Sequence, residues 1–270
     1  MTHFTVTVIG DDVEDILEPY YEGKEVQPYI SNTPEDMLRQ FKKYEIDCFK
    51  HQQDGETLSN FEIKTIALNL KTSLDLSDWW REYSGGDIDE DGNATSTYNP
   101  DSKWDWYSLG GRWAGMLPIK KGKAGTVGTS GVFGNKPKSG GVDKCRIKDV
   151  DWKQVRKDAR VSAGNDWDEL FNPVLDPDRF CMYNKTYLDS QKKVHMQLYG
   201  TRDEYIRRRG YWTTYALVSA ETGWIAPGEM GWFGMHSDET ADRDEYCKRF
   251  VSILKSLPKN TVISVVDCHI

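Results

Sequence analysis

The chain of 270 residues is short of the features that mark most metal, redox and membrane proteins. Its five cysteines, Cys48, Cys145, Cys181, Cys247 and Cys268, are odd in number, widely spaced and never paired as C-x-x-C. A zinc ribbon or a disulfide framework is therefore not expected, and free thiols in a reducing compartment are. The five histidines, His3, His51, His195, His236 and His269, share no H-E-x-x-H or other close ligand spacing. On that ground we expect no cofactor, and a divalent metal would need ligands assembled from distant segments. There is no G-x-x-x-x-G-K-[ST] phosphate loop. No apolar run approaches the ~20 residues of a membrane span. No basic stretch followed by an apolar one opens the sequence as a secretory signal would. Nor is there a basic excess: 35 Lys and Arg stand against 43 Asp and Glu, a net charge of −8. That balance argues against duplex nucleic acid as a partner and leaves room for a local basic pocket.

What the sequence has in quantity is aromatic residues, 12% of the chain, with ten Trp and fourteen Tyr. Such a composition folds rather than staying disordered, and the length suffices to bury a core as one domain. The two ends carry the plainest patterns. Phe4, Val6 and Val8 alternate with His3, Thr5 and Thr7, which predicts a half-buried strand. Asp11 or Asp12 then caps a short helix bearing Val13, Ile16 and Leu17. Near the other end residues 212–224 alternate as a strand, and 239–257 carry Tyr246, Phe250 and Leu254 on one helical side. Pro258 ends that helix, and residues 261–270 form an apolar strand.

A β-α start and a β-α-β end predict an α+β, ferredoxin-like sandwich whose N- and C-terminal strands are antiparallel neighbours, interrupted by a long central insertion. The expected organisation is a single domain, 1–270, with core segments at about 1–45 and 211–270 and an insertion at about 46–210. Helical patterns fall at 34–45, 60–83, 152–171 and 201–209, and 84–100 reads as a polar loop. The Gly-, Lys- and Ser-rich stretch 120–144 reads as a flexible excursion.

This topology has a chemical consequence. His3 opens the first strand and His269 closes the last, so antiparallel pairing sets them side by side. His3 and Thr5 share one face of their strand, as Asp267 and His269 share one face of theirs. Two imidazoles, a hydroxyl and a carboxylate are then expected to converge, the composition of an acid–base site. The densest aromatic segment, NPDSKWDWYSLGGRW at 99–113, sets Lys103, Asp105 and Arg112 among Trp104, Trp106, Tyr107 and Trp113. Flat rings stack on bases, and arginine's planar fork suits phosphate. Gly110-Gly111 would let backbone approach a ligand. Such a cluster also packs as core, with Arg112 paired to Asp105 or Asp101. A second string, GEMGWFGMH at 228–236, offers Glu229 and Trp232, where Glu229 serves as base, ligand or cap.

The strings HFTVTVIG, NPDSKWDWYSLGGRW, GEMGWFG and VVDCHI together resemble a largely uncharacterised family of tailed-bacteriophage proteins. Membership implies expression in the cytoplasm of a bacterial host. It also suggests kinship with phage accessory proteins that cleave or sequester the nucleotide signals of bacterial immunity. A second resemblance is chemical: His3-Phe4-Thr5 is similar to the H-x-[ST] motif of two-histidine phosphoesterases, which need no metal. Their second motif is not matched, because only Ile270 follows His269. The leading expectation is a phosphodiesterase acting on a cyclic di- or oligonucleotide through His3, His269, Thr5 and Asp267. Lys103, Asp105, Trp106, Tyr107, Arg112, Trp113, Glu229 and Trp232 would bind the ligand. The alternatives are a non-catalytic sponge, for which a homo-oligomer is an expected form, and an inhibitor that binds a host protein through an aromatic patch.

Overall fold

The computed structural model describes residues 2–68, 73–130, 140–172, 185–229, 237 and 240–270. The described strands are β1 (His3–Ile9), β2 (Tyr29–Asn32), β3 (Asp87–Ile88), β4 (Ala94–Ser96), β5 (Trp106–Gly111), β6 (Leu117–Pro118), β7 (Thr129–Ser130), β8 (Gly141–Val142), β9 (Lys144–Arg146), β10 (Ala216–Ser219), β11 (Gly223–Ile225) and β12 (Val262–His269). The described α-helices are α1 (Val13–Leu17), α2 (Pro34–Gln53), α3 (Asn60–Ala67), α4 (Ser73–Ser84), α5 (Trp152–Phe171), α6 (Lys185–Tyr199), α7 (Arg202–Arg209) and α8 (Thr240–Ser256). None of them is long and apolar enough to cross a membrane. The protein is mixed α/β and forms two compact units, Met1–Glu22 with Asp101–Ile270, and Gly23–Pro100. This differs from the expected single domain with a core at 1–45 and 211–270. Residues 23–45 belong to the smaller unit, and much of the expected insertion belongs with the terminal strands.

In the smaller unit α2 and α4 enclose Met37, Phe41, Leu76, Trp79 and Trp80. Thr33 and Ser59 start α2 and α3 with reciprocal capping boxes through Asp36 and Glu62. Residues 84–100, expected as a loop, hold the β3–β4 hairpin, because the Asp89 carboxylate accepts the N–H groups of Asp91 and Asn93 and tightens the turn.

The larger unit is built on a seven-stranded sheet in the order β11-β10-β1-β12-β5-β7, with β9 also paired to β12. Strand β1 is parallel to β10 and antiparallel to β12, in register from His3 opposite His269 to Ile9 opposite Ile263. The terminal strands are thus neighbours, and their alternation builds two cores. Phe4, Val6, Val8, Val266 and Cys268 pack with Leu17 of α1 on one face. Ile9, Leu217, Ile263 and Val265 pack with Tyr246, Phe250 and Leu254 of α8 on the other. Helices therefore lie on both faces, so the one-sided layering of a ferredoxin-like sandwich does not form. The single strand expected over 212–224 is a hairpin, β10–β11. Ser219 Oγ accepts the Thr222 N–H within the turn, and Gly223 takes the positive φ of 66° that closes it. In the 120–144 stretch, residues 131–139 lie outside the described residues. Of the rest, Thr126 is bridged to Lys144, and β7 pairs with β5.

Candidate functional site

At the end of the sheet where β1 begins and β12 finishes, the face that carries Ile9 and Ile263 at its other end turns polar. Register pairing sets Trp106, His269 and His3 in one row across β5, β12 and β1, and Ser108, Asp267 and Thr5 in the next. Residues paired across strands project from the same face, so both rows are side-chain neighbours.

Each histidine is held by its own carboxylate. His3 Nδ1 lies 2.8 Å from Asp267 Oδ1, and His269 Nδ1 lies 2.7 Å from Asp105 Oδ1. An ionised carboxylate only accepts, so each bond makes Nδ1 the protonated nitrogen and leaves Nε2 to take or give a proton. The imidazole centroids are 5.0 Å apart at 72°. Trp106 stacks on His269 at 5.3 Å and 16°, and meets His3 edge-on at 5.2 Å. The two dyads differ in depth: the Asp267 side chain is 1% exposed, whereas that of Asp105 is 38% exposed. His269 Nε2 is buried and has no hydrogen-bond partner among the described residues. A buried polar atom left this way costs stability.

The geometry of Asp267 comes from the chain around Gly110-Gly111. Both glycines have positive φ, 71° and 49°, and the turn they make brings the Arg112 N–H to Asp267 Oδ2 at 2.9 Å. A Cβ on Gly111 would overlap Asp267, and one on Gly110 would overlap Asp143. Asp143 is itself fully buried and accepts the N–H groups of Gly115 and Gly128. The glycines thus let backbone approach two carboxylates, where the sequence suggested approach to a ligand. Gly111→Ala is expected to lower stability by roughly 2–4 kcal/mol, from backbone strain and displacement of Asp267. A thermal melt checks this, and an unshifted midpoint would disprove the packing described.

The remaining expected ligand-binding residues disperse. Tyr107 pairs in register with Cys268 on the opposite face, edge-on to Trp104, and burial pushes its phenol above the ordinary range. Lys103 and Glu229 form an ion pair at 3.8 Å beside a cavity of about 460 Å³, walled by side chains of the Phe4 face. They do not join the histidines. Trp106 does, as a ring packed on imidazoles. Arg112 does through its main chain. Trp113 follows the glycine turn and is half-buried, and Trp232 lies outside the described residues. Thr5 Oγ1 accepts the Tyr215 N–H and so ties β1 to the start of β10. Ser108 and Asp143 were missed. Ser108 was legible as the alternate neighbour of Trp106, had residues 106–111 been read as a strand.

Set against family models, curated proteins and solved structures, the chain matches none. What the site can do rests on its own chemistry. The described cysteines are all buried. Burial raises Cys145 to about 11 and Cys268 well above the thiol range, so neither supplies a thiolate nucleophile at neutral pH. No cluster of three or more metal-ligating side chains occurs among the described residues. The groups suited to move protons at this end of the sheet are the two imidazoles.

Proposed function

We propose that this protein is a phage-encoded phosphodiesterase that opens a cyclic oligonucleotide signal of bacterial immunity, with His3 and His269 as its acid–base pair. The observation that carries the proposal is the register pairing of two imidazoles, each with Nδ1 on a separate carboxylate. One imidazole takes the proton of a ribose 2′-hydroxyl as that oxygen bonds to phosphorus. The phosphorus bond to the leaving ribose oxygen breaks, and the other imidazole, protonated, gives that oxygen its proton. Asp267 and Asp105 orient the rings and favour the charge each acquires. Of the two cations expected at the phosphate, Arg112 reaches the pair through its main-chain N–H on Asp267, and Lys103 belongs to the cavity.

A host-protein inhibitor would present several tryptophans to solvent. Among the described tryptophans Trp106 alone is exposed, which weighs against that reading. Sequestration without cleavage needs the rings but no proton pair. The deciding experiment incubates the protein with cyclic di- and trinucleotides and ADP-ribose-derived signals, with and without EDTA, and analyses the mixtures by chromatography before and after heating. Linear products in the presence of EDTA are expected. Intact ligand released only by heat would replace cleavage with sequestration. No depletion of any ligand would overturn both.

A further inference from the structure

Helix α5 carries its charges the wrong way round. Lys153, Arg156, Lys157 and Arg160 lie in its first half, and Asp166, Asp168 and Glu169 in its last. The N-terminus is the positive end of a helix dipole, so it favours carboxylates and repels cations. Yet α5 has no acidic residue in its first turn and no basic one in its last. The four cations also stand at i, i+3, i+4 and i+7, on one helical face, where each has like charges for neighbours. Asp158 lies off that face and accepts from Gln154 Nε2 at 2.7 Å. All four cations are exposed, and none forms an ion pair among the described residues. The helix gains nothing from this arrangement, and sequences break such local rules at functional surfaces. In a chain with a net charge of −8, a bare cationic face is the exception.

The neighbours of α5 delimit the face. Its later half is covered by α7: Gly164 lies against Arg202 and Ile206, and Gly210, at the end of α7, lies against Arg160. The chain then passes to Trp212, whose ring meets that of Trp152 at 6.2 Å. Tyr211 stands between those two points and is 40% exposed. About 10 Å of cationic helix is left bare, with an aromatic ring at its side. We propose that this face of α5 binds single-stranded nucleic acid, its four cations on phosphates and Tyr211 against a base. A row of cations tracks a phosphate backbone, and the two arginines add forks that fit phosphate oxygens in pairs. The ring gives a base a stacking face, which a duplex with its bases turned inward cannot use. An acidic protein would engage the cations and leave Tyr211 idle. The inference uses no residue of the histidine site and does not rest on the phosphodiesterase reading.

The test is fluorescence anisotropy of a labelled oligothymidylate of about 16 nucleotides, long enough for one single-strand site. Deoxyribose has no 2′-hydroxyl, so the chemistry proposed at the histidines cannot consume this probe. With four phosphate contacts, raising salt from about 50 to 200 mM should weaken binding by roughly 50-fold. The fourfold variant Lys153→Gln, Arg156→Gln, Lys157→Gln and Arg160→Gln should lose most of the affinity and flatten that salt dependence. Its thermal midpoint should hold or rise, because repulsion along the helix is relieved. Tyr211→Ala should weaken oligothymidylate binding about fivefold or more and leave binding of inorganic polyphosphate unchanged. No binding of the oligonucleotide, binding that the fourfold variant retains, or a midpoint that falls with the substitutions would overturn the proposal. So would polyglutamate that displaces the probe as well as unlabelled oligothymidylate does, since the partner would then be an acidic protein.

Discussion

Replacing His269 with alanine is expected to lower turnover of a cyclic oligonucleotide by roughly 10²–10⁴-fold, the range for loss of one positioned proton-transfer group. His3→Ala should fall in the same range. Because one ring must accept a proton while the other donates one, the two act as a unit. The double variant should then be little worse than either single, far short of the product of their losses. The same requirement gives the wild-type rate a bell-shaped dependence on pH. Ligand affinity should change little, because alanine removes proton transfer but leaves Trp106 in place. A purely structural role predicts the opposite: a lowered melting temperature and weakened binding with turnover per folded molecule intact. The discriminating measurements are single-turnover rates beside a circular dichroism melt, with added imidazole as a rescue of His269→Ala. Full activity in either single variant would remove the pair from the mechanism.

The parts of this site that could be read from the sequence are those set by short periodicities. Alternation over residues 3–9 and 261–270 placed His3 and Thr5 on one face and Asp267 and His269 on another, and antiparallel pairing of the chain ends brought those faces together. Asp105 is different. Its partnership with His269 spans 164 residues and depends on β5 lying against β12, which no local pattern announces. Strand β5 was hidden because it ends in Gly110-Gly111, residues that ordinarily interrupt strands. The grouping of Lys103, Tyr107 and Glu229 with the histidines failed for the reason that made the end strands legible. Consecutive strand residues project to opposite faces, so Tyr107 is separated from Trp106, and the cavity lined by Phe4 from His3. The unit over Gly23–Pro100 was missed because α2, its first helix, was counted with the opening β-α pattern, although β2 lies between them.

Asp267→Asn should be as damaging to catalysis as loss of a histidine, although it preserves shape almost completely. The Asp267 carboxylate accepts from two donors, the Arg112 N–H at Oδ2 and His3 Nδ1–H at Oδ1. An asparagine has one accepting oxygen and one NH₂. The Arg112 N–H is fixed by the positive-φ glycines before it and can only donate, so the amide oxygen must serve it. The NH₂ then faces His3 Nδ1, which must become the acceptor, and the ring carries its proton on Nε2 instead. In that tautomer His3 can no longer take a proton at Nε2, and Nδ1 can no longer stay protonated to support an imidazolium. Both of its possible roles are lost, at a cost of roughly 10³-fold in rate. Stability should fall by only about 1–3 kcal/mol, the range for disturbing a buried hydrogen bond. The tautomer itself is the readout that a structural role would not move. Nitrogen chemical shifts of His3 should exchange their Nδ1 and Nε2 character between wild type and Asp267→Asn, while those of His269, held by Asp105, stay as they are. An unchanged His3 tautomer together with a large rate loss would mean that Asp267 acts through charge alone.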